Sequence, residues 1–121
     1  HGGLRYKGGE VFVRKSRFER NKVGARLWFA KPVFEENSFT DNETGIFFRE
    51  GIEQASIRRN NFADLDYDVK VGEFQEADIN ASENWWKASA SGRLADKIFD
   101  GSDSDGVGRV ITEPVLPTSF E

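Results

Sequence analysis

The chain has no cysteine, no methionine and one histidine, His1, among its 121 residues. Without cysteine there is no disulfide, no thiolate metal site, no thioether-linked haem and no cysteine nucleophile. A lone histidine at the first position leaves neither a Ser-His-Asp triad nor a multi-histidine metal site. No run approaches the roughly 18 apolar residues that a membrane helix needs, so no membrane span is expected. No signal peptide is legible, and a chain that opens on His1 is expected to be processed or to be a piece of something longer. The length has room for one domain and one core. At 37% hydrophobic, 31% charged and a net charge of −4, the composition points to a soluble chain. It does not fit a basic nucleic-acid binder or a disordered acidic tail, and no nucleic-acid partner is expected.

What the chain does have is phenylalanine: 11 Phe and 3 Trp against 2 Tyr, rings without a polar tip and so suited to packing. Phe18, Phe39 and Phe62 are spaced 21 and 23 residues apart. Two positions before each stand Ser16, Asn37 and Asn60, and Asn84 follows 24 residues further on, in ENWW. Val13, Phe34, Ile57 and Ala81 precede those, and Val11, Pro32, Ala55 and Ile79 stand two positions earlier still. Asn21 and Asn42 come three after the Phe, where Leu65 breaks the column. The segments GLRY, GARL, GIFF and DVKV, beginning at Gly3, Gly24, Gly45 and Asp68, are spaced 21, 21 and 23 residues. Two independent parts of the unit share one spacing series, so the chain is a repeat.

Each unit shows short period-2 apolar runs separated by Gly, Asn and Asp turns, and no helical periodicity of useful length. Such a unit cannot bury its apolar face alone, but stacked units can, as parallel strands about 4.8 Å apart. Equivalent residues then lie above one another, as a phenylalanine stack and an asparagine ladder. A buried turn leaves backbone groups to satisfy, and an amide side chain supplies a donor and an acceptor to neighbouring coils. Asn37, Asn60 and Asn84 are therefore expected to be structural, and asparagine also tolerates the left-handed conformation of such bends.

These repeats resemble those of right-handed parallel β-helix proteins, the class that includes pectate lyases, alginate epimerases and periplasmic NosD-type proteins. The run ENWWKASASGRLADKIFDGSDSDGVGRVITEPVLP resembles the segment that often closes such helices, except that Lys87 stands where glycine usually follows the second Trp. The resemblance implies an all-β fold, a right-handed parallel β-helix (solenoid) of about four coils with a short C-terminal capping helix and an extended tail. Coils are expected at 3–23, 24–44, 45–67 and 68–86, together spanning 1–86, and the cap, acidic loop and tail at 87–121. A short amphipathic helix within 87–99, with Leu94, Ile98 and Phe99 as its apolar contacts, would plug the core together with Trp85 and Trp86. Pro32 is expected to be a local irregularity, because it lacks a ladder donor. The first coil has no comparable cover, so further upstream coils, a second chain or self-stacking is expected at its edge. The class implies an extracellular, cell-surface or periplasmic location.

Alternation sends Ile46 and Phe48 inward and Phe47 outward. The outward columns then read Arg5, Arg26, Phe47, Lys70 and Lys7, Trp28, Arg49, Gly72, a ribbon of cations and rings on an acidic protein. Stacked like charges repel, so a bound anion is one way to offset them. An acidic polysaccharide is the expected ligand, with Arg5, Lys7, Arg26, Arg49 and Lys70 on its anionic groups and Trp28 and Phe47 as platforms. The structural alternative is a solvated face paired with Glu10, Glu50 or Glu73. No outward Asp, His or Tyr stands among the cations, so catalysis is not expected of this segment itself. A non-catalytic structural or adhesive module is the leading reading, and the C-terminal part of a polysaccharide lyase or epimerase is the alternative. The acidic loop DGSDSDG offers Asp100, Asp103 and Asp105 as oxygen ligands for Ca²⁺, the one cofactor considered. The EF-hand register fails there, with Gly101 and Thr112 at ligand positions, so an acidic surface turn is the simpler expectation.

Overall fold

Alternating side chains on short segments, joined by turns with no helix between them, can close a core only by coiling. The computed structural model describes residues 2–100 and 107–119, and there the alternating segments are strands. β1 (Gly2–Arg14) and β2 (Arg17–Glu19) form the first rung, and β3 (Val23–Glu35) and β4 (Ser38–Thr40) the second. β5 (Thr44–Glu50), β6 (Ser56–Arg58) and β7 (Asn61–Ala63) form the third. β8 (Tyr67–Phe74), β9 (Ile79–Asn80) and β10 (Trp85–Trp86) form the fourth. One sheet runs β1-β3-β5-β8-β11, where β11 is Ile98–Phe99, and β6 pairs with the far half of β3. A second runs β2-β4-β7-β10, and β12 (Val110–Ile111) pairs with β9. Every pairing is parallel. The product is an all-β parallel solenoid of about four turns.

Inward columns make the core. Ala25, Ile46 and Val69 are in register and fully buried, as are Leu27, Phe48 and Val71 in the next column. Phe18, Phe39, Phe62 and Trp86 stack in one pile, with ring centroids 4.8, 5.0 and 4.5 Å apart and planes within 13° of parallel. Trp86 thus ends the phenylalanine stack as its fourth member. A Cβ on Gly24 would sit 2.6 Å from the Gly45 carbonyl oxygen of the next rung, so these glycines answer to close approach between rungs.

Asn37, Asn60 and Asn84 stand one above another, buried. The Asn60 Oδ1 accepts from the Asn37 N–H and Nδ2, both at 3.0 Å, and the Asn84 Oδ1 does the same for Asn60 at 2.9 and 3.0 Å. Each Nδ2 also donates to a strand carbonyl, of Val13, Phe34 and Ile57 respectively. The left-handed residues are not these asparagines but the residues just before them: Glu36, Arg59 and Glu83 have φ of 61°, 58° and 63°. The bend falls on the residue before each asparagine, and the asparagine side chain reaches along the solenoid axis to the neighbouring rungs.

The closing segment departs from the expected single helix. Two 3-10 turns, Lys87–Ser91 and Leu94–Lys97, cover the end of the solenoid. Ile98 and Phe99 leave that helical segment and pair with Val69 and Lys70, so the outgoing chain extends the large sheet. Beyond β12 the tail keeps following the fourth rung: Glu83 N–H donates to Pro114 O and Leu116 N–H to Asn84 O. Pro32 is buried in β3 opposite Val11, and pairing of β3 with the third rung is interrupted between Trp28 and Val33, where the proline offers no donor.

Candidate functional site

The outward face of the large sheet carries the ribbon. Arg5 pairs with Arg26, Arg26 with Phe47, Phe47 with Lys70 and Lys70 with Phe99, in register from strand to strand. Five strands at about 4.8 Å spacing make a face roughly 19 Å long. The second column differs from the simple repeat. The register shifts between Leu27 and Trp28, and Trp28 faces Glu50 rather than Arg49. A further shift pairs Glu50 with Phe74. One extra residue in β5 relative to β3 makes the first shift and one extra residue in β8 relative to β5 makes the second, and a slip by one residue exchanges faces. Lys7, Trp28, Glu50 and Phe74 therefore form that column, and Arg49 sits in the irregularity beside it.

Cations and rings interleave closely. Arg49 lies 5.4 Å from the Trp28 ring centroid and 5.6 Å from that of Phe47. Arg5 lies over Trp28 at 5.8 Å, and Arg26 and Lys70 approach Phe47 at 5.9 and 5.5 Å. Three cations thus surround Phe47, which makes it a mount for charge rather than an open platform. Phe29, Tyr67 and Phe99 join the arrangement, beneath Lys7 and Lys70. Phe29 and Tyr67 fall outside the two outward columns of the sequence, whereas Phe99, expected to be a helix contact, extends the first column beside Lys70. Arg5, Tyr6, Lys7 and Trp28 line an open cavity of about 330 Å³ at one end of the ribbon.

Among the described residues no carboxylate is ion-paired with the cations of this face, although Glu50 stands in its second column. Among the described residues the ion pairs are Arg17–Glu19, Arg58–Glu83 and Arg93–Asp96, none of them on the ribbon. Arg26 is half-buried, its Nε finds no acceptor, and burial and the charges of Arg5 and Arg49 pull its pKa below the usual guanidinium value. The guanidinium remains charged, so the cations of the ribbon lie against aromatic rings rather than in ion pairs among the described residues.

At the far end of the molecule, Asp100 is buried and its Oδ2 accepts from the Val110 N–H at 2.6 Å, which ties the strand to the outgoing tail. Asp103 and Asp105 lie outside the described residues, and among the described residues no group of three or more His, Asp or Glu side chains is placed to hold a metal ion. Among the described residues no helix is long and apolar enough to cross a membrane.

A second ladder runs through Asn21 and Asn42 and ends on a carboxylate. Asn21 donates to Asn42, and Asn42 Nδ2 donates at 2.7 Å to the Oδ1 of Asp64. The column continues at Asp64, not at Leu65, because the third turn has one residue fewer before this position and one more after it.

Comparison with known proteins finds no matching family model and no significantly similar curated protein or solved structure. The fold itself defines the class: the chain is a parallel β-solenoid repeat protein.

Proposed function

We propose that the chain is a non-catalytic structural or adhesive module of the right-handed parallel β-helix kind, which binds an acidic polysaccharide along its cationic ribbon outside the cytoplasm. One observation carries this reading. Elsewhere on the solenoid, stacked charges alternate in sign: Arg14, Glu35 and Arg58 are in register, and Arg58 reaches Glu83 at 3.2 Å. On the ribbon Arg5 stacks on Arg26 with no acid between them. Like charges opposed on one face destabilise a sheet, so their retention here is accounted for by an anion that arrives from outside. The ligand's charged groups meet Arg5, Lys7, Arg26, Arg49 and Lys70, and the open cavity beside Trp28 accepts a ring. The first rung's outer edge is unpaired among the described residues, and a protein partner or a second copy stacking on β1 belongs to the same proposal.

Retention on pectate or alginate, with a neutral polysaccharide as control, tests the reading. The wild type should be retained and released by salt, and Arg26→Ser with Arg49→Ser should abolish retention. Equal retention of the variant, or none for the wild type, refutes it. A second reading, the C-terminal part of a lyase or epimerase, draws on Glu50, which the register shift brings opposite Trp28. It requires Glu50-dependent modification of a polyuronate. Calcium at Asp100, Asp103 and Asp105 is a separate proposal, and a melting temperature indifferent to EDTA argues against it.

A further inference from the structure

We propose that Asp64 and Asp68 share one buried proton in the folded protein, and that losing it opens the C-terminal closure of the solenoid. The geometry is that of a carboxyl standing in for an asparagine amide. Asp64 Oδ1 takes the ladder role, accepting from the Asn42 N–H at 3.1 Å and from Asn42 Nδ2 at 2.7 Å. An asparagine here would use its NH₂ on the other side. Asp64 Oδ2 occupies that side, is sealed from solvent and meets no donor. The Asp68 carboxyl, 1% exposed, accepts from the Asp64 N–H at 2.9 Å. Two buried carboxyls in one turn cannot both ionise cheaply, and a proton on one lets it donate to the other.

The charged surroundings do not remove that need. From the turn before β5 come Asp41 and Glu43, and from the pair's own turn Asp66 and Tyr67. The closing segment contributes Lys87, Arg93, Asp96 and Lys97, and Arg93 is already paired with Asp96 at 3.4 Å. Lys97 is the nearest candidate counter-charge, yet its Nζ donates to the backbone carbonyls of Asp64 and Leu65. It therefore clamps the second 3-10 turn onto the Asp64 turn without neutralising a carboxylate by direct contact. Burial first, and then the negative charge of Asp68, lift the Asp64 pKa to about 8 against the lowering effect of the Asn42 bonds. Burial also raises Asp68, partly offset by its bonds to Asp64 and by the charge of Lys97. A cavity of about 570 Å³, lined by both aspartates, Lys87, Arg93 and Lys97, gives water a way in once the proton leaves.

The folded state binds this proton more tightly than the unfolded chain does. The stability that this proton contributes is therefore complete below the ordinary carboxylate range and is lost as pH rises from there through about 8. One proton corresponds to about a tenfold loss in the folding equilibrium constant per pH unit within that window. Carboxyl-carbon NMR of the full chain should show Asp64 titrating far above the ordinary range. Amide exchange at Ile98 and Phe99, corrected for intrinsic rate, should accelerate across the same interval. Asp64→Asn preserves the acceptor and supplies a real donor, so it should remove about one proton's slope and be the more stable protein at pH 8. An ordinary Asp64 titration, or an Asp64→Asn protein that keeps the full slope, overturns the proposal. Should the variant not fold, the wild-type titration decides alone.

Discussion

Replacing Asn60 with alanine is the sharpest test of what holds the rungs together. Asn60 is fully buried and its side chain makes bonds in both directions along the axis. Oδ1 accepts from the backbone N–H and the side chain of Asn37, and Nδ2 donates to Phe34 O at 2.9 Å, Arg58 O at 3.1 Å and Asn84 Oδ1 at 3.0 Å. After truncation Asn37 Nδ2 still reaches Val13 O, and Asn84 Oδ1 still receives the Asn60 N–H. The Asn37 N–H loses its side-chain acceptor and Phe34 O loses a donor. At about 1–3 kcal/mol for each buried group left short, with a small void added, the loss should be on the order of 4 kcal/mol. That is a large part of the 5–15 kcal/mol typical of a domain. Asn21 provides the internal control. It is half-buried, and its side chain makes one inter-rung bond, to Asn42 Oδ1, which the Asn21 N–H also reaches. Asn21→Ala should cost at most about 1 kcal/mol. Urea unfolding followed by tryptophan fluorescence measures both. Equal losses for the two variants, or an Asn60→Ala loss below about 1 kcal/mol, would refute the ladder as a source of stability.

Three further outcomes follow from the same geometry. Phe62 lies between Phe39 and Trp86, so Phe62→Ala should cost about 3–5 kcal/mol in the same unfolding assay. Gly45→Ala would put a Cβ 2.5 Å from Asp68 O, a backbone atom that cannot swing aside. It should lower stability by about 1–3 kcal/mol or more by overpacking, and a neutral result would show that the rungs can part. Arg26→Gln should change thermal stability by less than about 1 kcal/mol, because it exchanges a cation–π contact for relief from Arg5 and Arg49. A large loss would make Arg26 structural.

The parts of this fold that could be read in the sequence are those in which every rung uses the same position. Phe18, Phe39 and Phe62 keep one register with each other, so their column survives any change in turn length elsewhere. The same holds for Arg5, Arg26, Phe47 and Lys70. What could not be read arises where one residue moves within the unit. Two residues separate Phe39 from Asn42 but only one separates Phe62 from Asp64, so alignment on the phenylalanines points to Leu65. The repeat spacing puts Arg49 opposite Trp28, where the structure has Glu50, because the total spacing hides where within β5 the extra residue lies. Ile98 and Phe99 have the pattern of a helix face but find an open sheet edge at Val69 and Lys70, and pairing there outweighs weak helical propensity.

The ribbon also shows how a surface can hold like charges together without cancelling them. A carboxylate placed between Arg26 and Lys70 would lower the repulsion and extinguish the field that an anion responds to. Phe47 stands in that place, with Arg26, Arg49 and Lys70 all within 6 Å of its ring. Each such contact contributes about 0.5–1 kcal/mol at an exposed site through the ring quadrupole, which carries no net charge. The ring therefore eases the internal cost and leaves the outward potential almost whole. Phe47→Glu separates these two effects: it should keep or raise stability while weakening pectate or alginate retention. If Phe47 served only as packing, the substitution would lower stability and leave retention as it was.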